Sequence, residues 1–329
     1  MTTLLLTGAG AVGVRATRQL LDTPGVDRVL VAARQRAKAD ELAAALGVEA
    51  VPFGSLPAGV DAVALAVPGP VAVQLATQAV GEGVSVAAVC DDREGVTGLL
   101  ALDRAARERH ATVVAGCALV PGLTDVLARH AADALDRADE IHVARAGAAG
   151  AACVAALRRA RRDRPVEWSH GAARVERRLG PELVWFPDPV GARECVTVAA
   201  PVETLHEAVP TVLRATMRAA DVPVPKRRVF APRRRSDDEW GAARVEVWGS
   251  RGDAREGVVY GVIEHPAVAA GTVLAVAAAR VAGLLPDVRL RVAESGARGL
   301  GALVEPAPFL AELARRGVKA AAFEGATAA

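Results

Sequence analysis

Six residues near the start of the chain, Gly8-Ala9-Gly10-Ala11-Val12-Gly13, have the spacing that holds a dinucleotide pyrophosphate. In such a turn the first glycine allows the tight bend and the second lets the backbone approach the phosphates. The third lets helix and strand pack closely. The following helix offers free amides and partial positive charge. The motif gains weight from its place between an apolar run at residues 3–7 and a helical pattern at 12–21. An enzyme that grips the adenosine ribose of NAD or FAD keeps an acidic residue about 20 residues further on. Here the chain reads Val31-Ala32-Ala33-Arg34-Gln35-Arg36-Ala37-Lys38. With no carboxylate present, Ala33 leaves room for a phosphate. Arg34, with Arg36 beside it, is placed to stack on adenine and pair with the 2′-phosphate of NADP(H). The alternative for these cations is a solvated, basic helix start.

Hydride transfer asks the protein for orientation, proton management and exclusion of water. Val67 ends the apolar run at 62–67, Pro68 follows it, Cys117 follows the run at 112–115, and all three are expected beside a nicotinamide. Cys117 also reads as a small core residue. Asp91 follows the run at 84–89; it suits an amine or iminium cation or a proton relay, and equally an N-cap for a helix starting near Val96. Asp125 reads as a cap or a loop tether. Arg145 ends an apolar run before a Gly/Ala-rich loop and is the first choice for a substrate carboxylate, against a solvated strand end. Tyr260, the single tyrosine, and His265 flank another strand end as candidate proton donors, or as core and cap residues.

These residues need a scaffold that brings strand ends together. Apolar runs at 3–7, 29–33, 62–67, 84–89 and 112–115 alternate with helical patterns at 12–21, 36–46, 71–81 and 96–109. Continuous apolar strands separated by helices predict an α/β fold, a doubly wound Rossmann parallel sheet covered on both faces. Ligands of that fold bind at the carboxyl ends of the strands. Beyond residue 130 strands are expected at 140–146, 195–199, 243–249 and 258–264, the last two antiparallel, with helices at 149–162, 205–220 and 267–285. The expected division is an NADP-binding domain at 1–130 and an α+β substrate and dimerisation domain at 131–304. A final helix within 305–319 packs back on the first, and the tail at 320–329 frays. The antiparallel strands should leave an edge or face that pairs across a two-fold axis, giving a homodimer.

Composition narrows the partners. A net charge of +2 gives no global field for nucleic acid or membrane. The basic clusters Arg158-Arg159-Ala160-Arg161-Arg162 and Arg233-Arg234-Arg235 lack interleaved aromatics. The four cysteines, Cys90, Cys117, Cys153 and Cys195, are far apart, so neither a metal site nor a disulfide is expected. The most apolar late stretch, 268–285, contains Arg280 and two glycines, and the N-terminus shows no charged leader. A cytoplasmic protein with a small-molecule substrate is the expectation.

The sequence resembles the saccharopine dehydrogenase-like family, which includes saccharopine reductases and carboxynorspermidine dehydrogenases. The resemblance rests on Gly8 to Gly13, Ala66-Val67-Pro68-Gly69-Pro70, Asp91 and the segment Gly116-Cys117-Ala118-Leu119-Val120-Pro121-Gly122-Leu123-Thr124-Asp125. Phe186-Pro187-Asp188-Pro189-Val190-Gly191 and Glu305-Pro306-Ala307-Pro308-Phe309-Leu310 add to it. It is firm over residues 1–130 and scattered beyond. It implies NAD(P)-dependent making or breaking of a C–N bond to an amino acid through an imine. Val120 stands where saccharopine-type enzymes have Asp, and Glu94 where they often have Tyr, which points to a different substrate. The alternatives are a carbonyl or conjugated-group reductase of a specialised pathway and a non-catalytic NADP(H) sensor.

Overall fold

The computed structural model describes residues 1–222, 239–291 and 295–323. The first half alternates strand and helix: β1 (Thr2–Thr7), α1 (Ala11–Leu21), β2 (Val26–Ala32), α2 (Arg36–Leu46), β3 (Glu49–Ala50), β4 (Ala62–Leu65), α3 (Gly69–Gly81), β5 (Ser85–Ala88), α4 (Arg93–Leu100), α5 (Asp103–Glu108) and β6 (Thr112–Ala115). Helix α6 (Leu123–Ala132) leads to β7 (Arg137–Ala146), α7 (Ala151–Arg162), β8 (Val166–Ser169), β9 (Ala172–Val175), β10 (Glu182–Trp185), β11 (Ala192–Thr197), α8 (Glu203–Ala208), β12 (Arg214–Ala220), β13 (Gly241–Arg251) and β14 (Ala254–Glu264). The chain closes with α9 (Pro266–Val281), β15 (Gly296–Gly299), α10 (Leu300–Leu303), α11 (Pro306–Arg315) and β16 (Ala320–Phe323).

The first sheet is parallel, in the order β15-β6-β5-β4-β1-β2-β3. Its strands are apolar throughout because both faces are covered. Along β1, Leu4 and Leu6 join the core beneath α1 and α9, while Leu5 faces the one formed with α3 and α4. The second sheet runs β10-β11-β12-β7-β13-β14-β16, with β8 on β12 and β9 on β8. Apart from the parallel β7–β12 pair its neighbours are antiparallel. One apolar core continues from the first sheet through α6 and α9 to Ile141, Val143, Val245 and Val247 of the second. That shared core holds the strand ends of both sheets in one place.

Four expectations are corrected. The helix expected at 205–220 is the short α8 followed by strand β12. Pro210 stops the helix, and Ala215 to Ala220 are buried apart from the half-buried Arg218, in a strand paired with β7 on one side and with β11 and β8 on the other. The helix expected at 96–109 begins at Arg93 and breaks into α4 and α5 at a turn over Ala101 and Leu102. In the tail, Ala320–Phe323 pairs with β14 instead of fraying. The division at residue 304 assigns α9 and β15 to the wrong layer. Helix α9, buried on nearly every side, packs on α1, β4 and β5, and β15 extends the first sheet beside β6. Helix α11 packs on α6 and α9, and Arg316 beyond it donates to the Gln19 carbonyl of α1 at 3.2 Å. The cluster Arg233-Arg234-Arg235 lies outside the described residues.

Candidate active site

The parallel strands of the first sheet all end on one side, where each is followed by a turn. The turns after β1, β4, β5 and β6 line one wall of a cleft of about 240 Å³. Arg145 of β7, the loop after it, one face of α7 and the start of α9 form the other wall. This is the crevice in which open α/β sheets bind ligands.

At its floor, Gly8 has φ +122°, and a Cβ there would lie 2.2 Å from the Ala66 carbonyl oxygen. A Cβ on Gly13 would lie 1.6 Å from the oxygen of Gly8. Gly10, the N-cap of α1, instead has no atom within 4 Å of the position a Cβ would take. A side chain would occupy that space, as expected where a pyrophosphate meets the free amides of Ala11, Val12 and Gly13. These residues fit a dinucleotide. Gly10, Ala11 and Val12 line the cleft, while Ala9 packs partly against the core.

The end of β2 sits beside this turn, Gly8 donating its amide to the Ala32 carbonyl at 2.8 Å. Ala33 is buried and Arg34 exposed. Arg36 is already engaged, by Asp40 at 2.8 Å and the Ala50 carbonyl at 3.3 Å. Arg34 has no hydrogen bond or ion pair among the described residues. Val67 and Pro68 reach the lining. Cys117 does not: it is fully buried beneath Ala118, its thiol 3.5 Å from the Val114 carbonyl and pushed up to about 12 by burial. Ala118 takes the place expected for it.

The two aspartates after β5 divide the work. Asp92 is the N-cap of α4, its Oδ1 accepting from the Gly95 amide at 2.8 Å. Asp91 is thereby free of capping and faces Arg145, with 3.8 Å between Oδ2 and Nη1. Burial pushes the Asp91 carboxyl above the ordinary carboxylate range, while Arg145 and a hydrogen bond from the Cys153 thiol pull it back. Arg145 is not a solvated strand end but 6% exposed. Its Nη1 donates to the Val120 carbonyl at 3.1 Å, and its Nη2 to the Gly147 carbonyl at 3.4 Å and the Cys153 sulfur at 3.3 Å. Its Nε is buried without a partner. Cys153, in the first turn of α7, is the member that sequence reasoning missed. Burial and Asp91 push its thiol up to about 12, so it stays an S–H donor. The only signal for it was its place after the Gly/Ala-rich loop.

Two candidates are not brought here. Tyr260 lies beside His130, ring centroids 5.6 Å apart, in the last turn of α6, about 10 Å along that helix from its cleft end. His265 precedes the lining residue Pro266 but stacks on Trp240 at 4.3 Å. Asp125 is no cap: its Oδ1 accepts from the Thr124 hydroxyl at 3.2 Å, and its Oδ2 is buried without a partner. Among the described residues no group of three His, Cys, Asp or Glu side chains could hold a metal. No helix among them is long and apolar enough to cross a membrane.

No protein-family model and no curated protein matches the chain. Among solved structures it is similar to apo saccharopine dehydrogenase (L-Glu forming) from Saccharomyces cerevisiae, with TM-score 0.70 and 13% identity over 98% of this chain and 100% of that one. It is also similar to the DAP dehydrogenase of C. glutamicum in complex with DAP, with TM-score 0.54 and 14% identity over 96% and 98% of the two chains. The chain therefore has a saccharopine dehydrogenase-like fold, a Rossmann sheet with a second, mixed-sheet layer.

Proposed function

We propose that this chain is an NADP(H)-dependent oxidoreductase that moves hydride to or from a C–N bond, an imine or secondary amine, of an amino-acid-like small molecule. The observation that carries the proposal is the convergence of the open Gly10 turn and the facing pair Asp91–Arg145 on one cleft. The shared fold with a protein named saccharopine dehydrogenase supports it.

When bound, the nicotinamide supplies or accepts the hydride. The amides opening α1 hold the pyrophosphate, and Arg34 pairs with the 2′-phosphate. Asp91 draws an iminium or ammonium nitrogen to the end of β5 by charge. It accepts the proton that nitrogen releases on oxidation and returns it on reduction. Arg145 and Cys153 are positioning residues that fix the Asp91 carboxylate. The apolar turn Ala118-Leu119-Val120 and the alanines of α7 keep water from the reacting carbon. The test is NADPH oxidation with a panel of amine and oxo-acid pairs. Turnover that requires both partners is expected. Consumption with a carbonyl compound alone would favour carbonyl reduction, and none with any partner would favour a sensor.

A further inference from the structure

Arg145 was the natural choice for a substrate carboxylate, yet four protein groups already surround its two terminal nitrogens. The cleft has one other guanidinium. Helix α7 turns Ala152, Ala156 and Arg159 toward it, positions separated by four and three residues and so on one helical face. Two methyl groups leave room and a cation stands beyond them. Arg161, two residues on, is engaged elsewhere, donating to the Ala219 carbonyl at 2.6 Å and lying 3.6 Å from Asp221. The Arg159 carbonyl accepts from the Asp163 amide at 3.0 Å, but its exposed guanidinium has no hydrogen bond or ion pair among the described residues. Of the two acidic residues in the lining, Asp91 faces Arg145 and Asp92 caps α4.

We infer that Arg159 binds a carboxylate carried by the substrate some distance from the reacting nitrogen. This rests on the proposed oxidoreductase reading and narrows its substrate class. The molecule lies along α7 with its nitrogen at Asp91 and its anionic end at Arg159. From Ala152 to Arg159 the helix rises about 10 Å, and the arginine side chain leans back toward the helix N-terminus. A chain of several bonds between amine and carboxylate fits that span. An α-amino acid with both groups on one carbon does not.

The experiment is calorimetric titration of the full chain, loaded with NADP+, with 6-aminohexanoate and with hexylamine, which lacks the carboxylate. Wild type is expected to bind 6-aminohexanoate roughly tenfold or more tightly than hexylamine, the gain typical of a charge-assisted arginine contact. Arg159→Ala should erase that preference and leave NADPH affinity unchanged, and Arg159→Lys should retain part of it. Equal binding of the two probes by wild type overturns the inference, as does a preference that survives Arg159→Ala. A tenfold loss of NADPH affinity in Arg159→Ala also overturns it, by assigning Arg159 to the cofactor. Failure of wild type to bind NADPH at all overturns the oxidoreductase reading beneath it.

Discussion

The Asp91 carboxylate and the Arg145 guanidinium stand 3.8 Å apart although one follows β5 of the first sheet and the other ends β7 of the second. At that distance the pair is an attraction between charges and not a closed hydrogen-bonded fork, so Asp91 keeps capacity for a ligand. Burial raises its proton affinity and Arg145 opposes the rise. Ionised Asp91 is the form that holds a cationic nitrogen. Removing Arg145 should therefore push the carboxyl higher still, and the ionised form should appear only at higher pH.

Arg145→Met is thus expected to move the acid limb of the pH–rate profile alkaline by about 1 unit or more, since a close opposite charge typically lowers a carboxyl by that amount. Profiles of wild type and variant over pH 4–9 check this. An unmoved limb would take Asp91 out of the titrating role.

The three glycines of the first turn should fail in different ways. Gly10→Val has open space, so the variant should keep the wild-type melting temperature while NADPH binding is lost. Gly8→Ala and Gly13→Ala drive a methyl group into backbone and should lower the melting temperature by several degrees. Thermal melts and NADPH fluorescence titrations of the three variants separate the two outcomes.

That turn and its sheet were legible because a strand buried on both faces is a continuous apolar run and its helices keep a 3.6-residue period. The second sheet was less so. Strand β12 hides in an alanine-rich stretch that is buried apart from Arg214 and Arg218 and so shows no strand alternation. Tyr260 and His265 stand at or near the end of β14, but the register of β14 and its packing on α6 decide what they meet, and neither is written locally. Cys153 joins Asp91 only because the start of α7 stands across the cleft from the end of β5. The sequence shows which strand ends carry chemistry. Which ends meet is set by the shared core.

Asp125 gives a stability prediction with a definite sign. Burial raises its carboxyl from the ordinary 3.8 to about 7. The folded chain therefore holds that proton through a pH range in which the unfolded chain releases it, and stability falls as pH rises from about 4 to about 7. Asp125→Asn should remove this loss. The melting-temperature difference, variant minus wild type, should grow across that window and level off above it. A difference that stays constant with pH would contradict the assignment.

The outer edge of the second sheet, strand β10, exposes Leu183 and Trp185 at 61% and 63%. We expect this edge to meet its counterpart in a second copy, giving a homodimer of about twice 33.8 kDa. Light scattering at micromolar concentration should show that mass, and Leu183→Glu with Trp185→Glu should reduce it to one chain. A monomeric wild type rules the dimer out.

Titration of NADPH and NADH against one protein sample decides whether this cleft binds NADP(H). Arg34 is exposed, unengaged and beside the Gly8 turn, where a charge-assisted contact with a 2′-phosphate contributes about 1.5–3 kcal/mol. Wild type should accordingly bind NADPH roughly ten- to hundredfold more tightly than NADH, and less selectively at high salt. Ala33→Asp with Arg34→Gln should reverse the order, because a carboxylate repels the phosphate and accepts from the 2′-hydroxyl. Equal affinity of wild type for the two cofactors would contradict the NADP(H) assignment, and no binding of either would contradict the function proposed for the cleft.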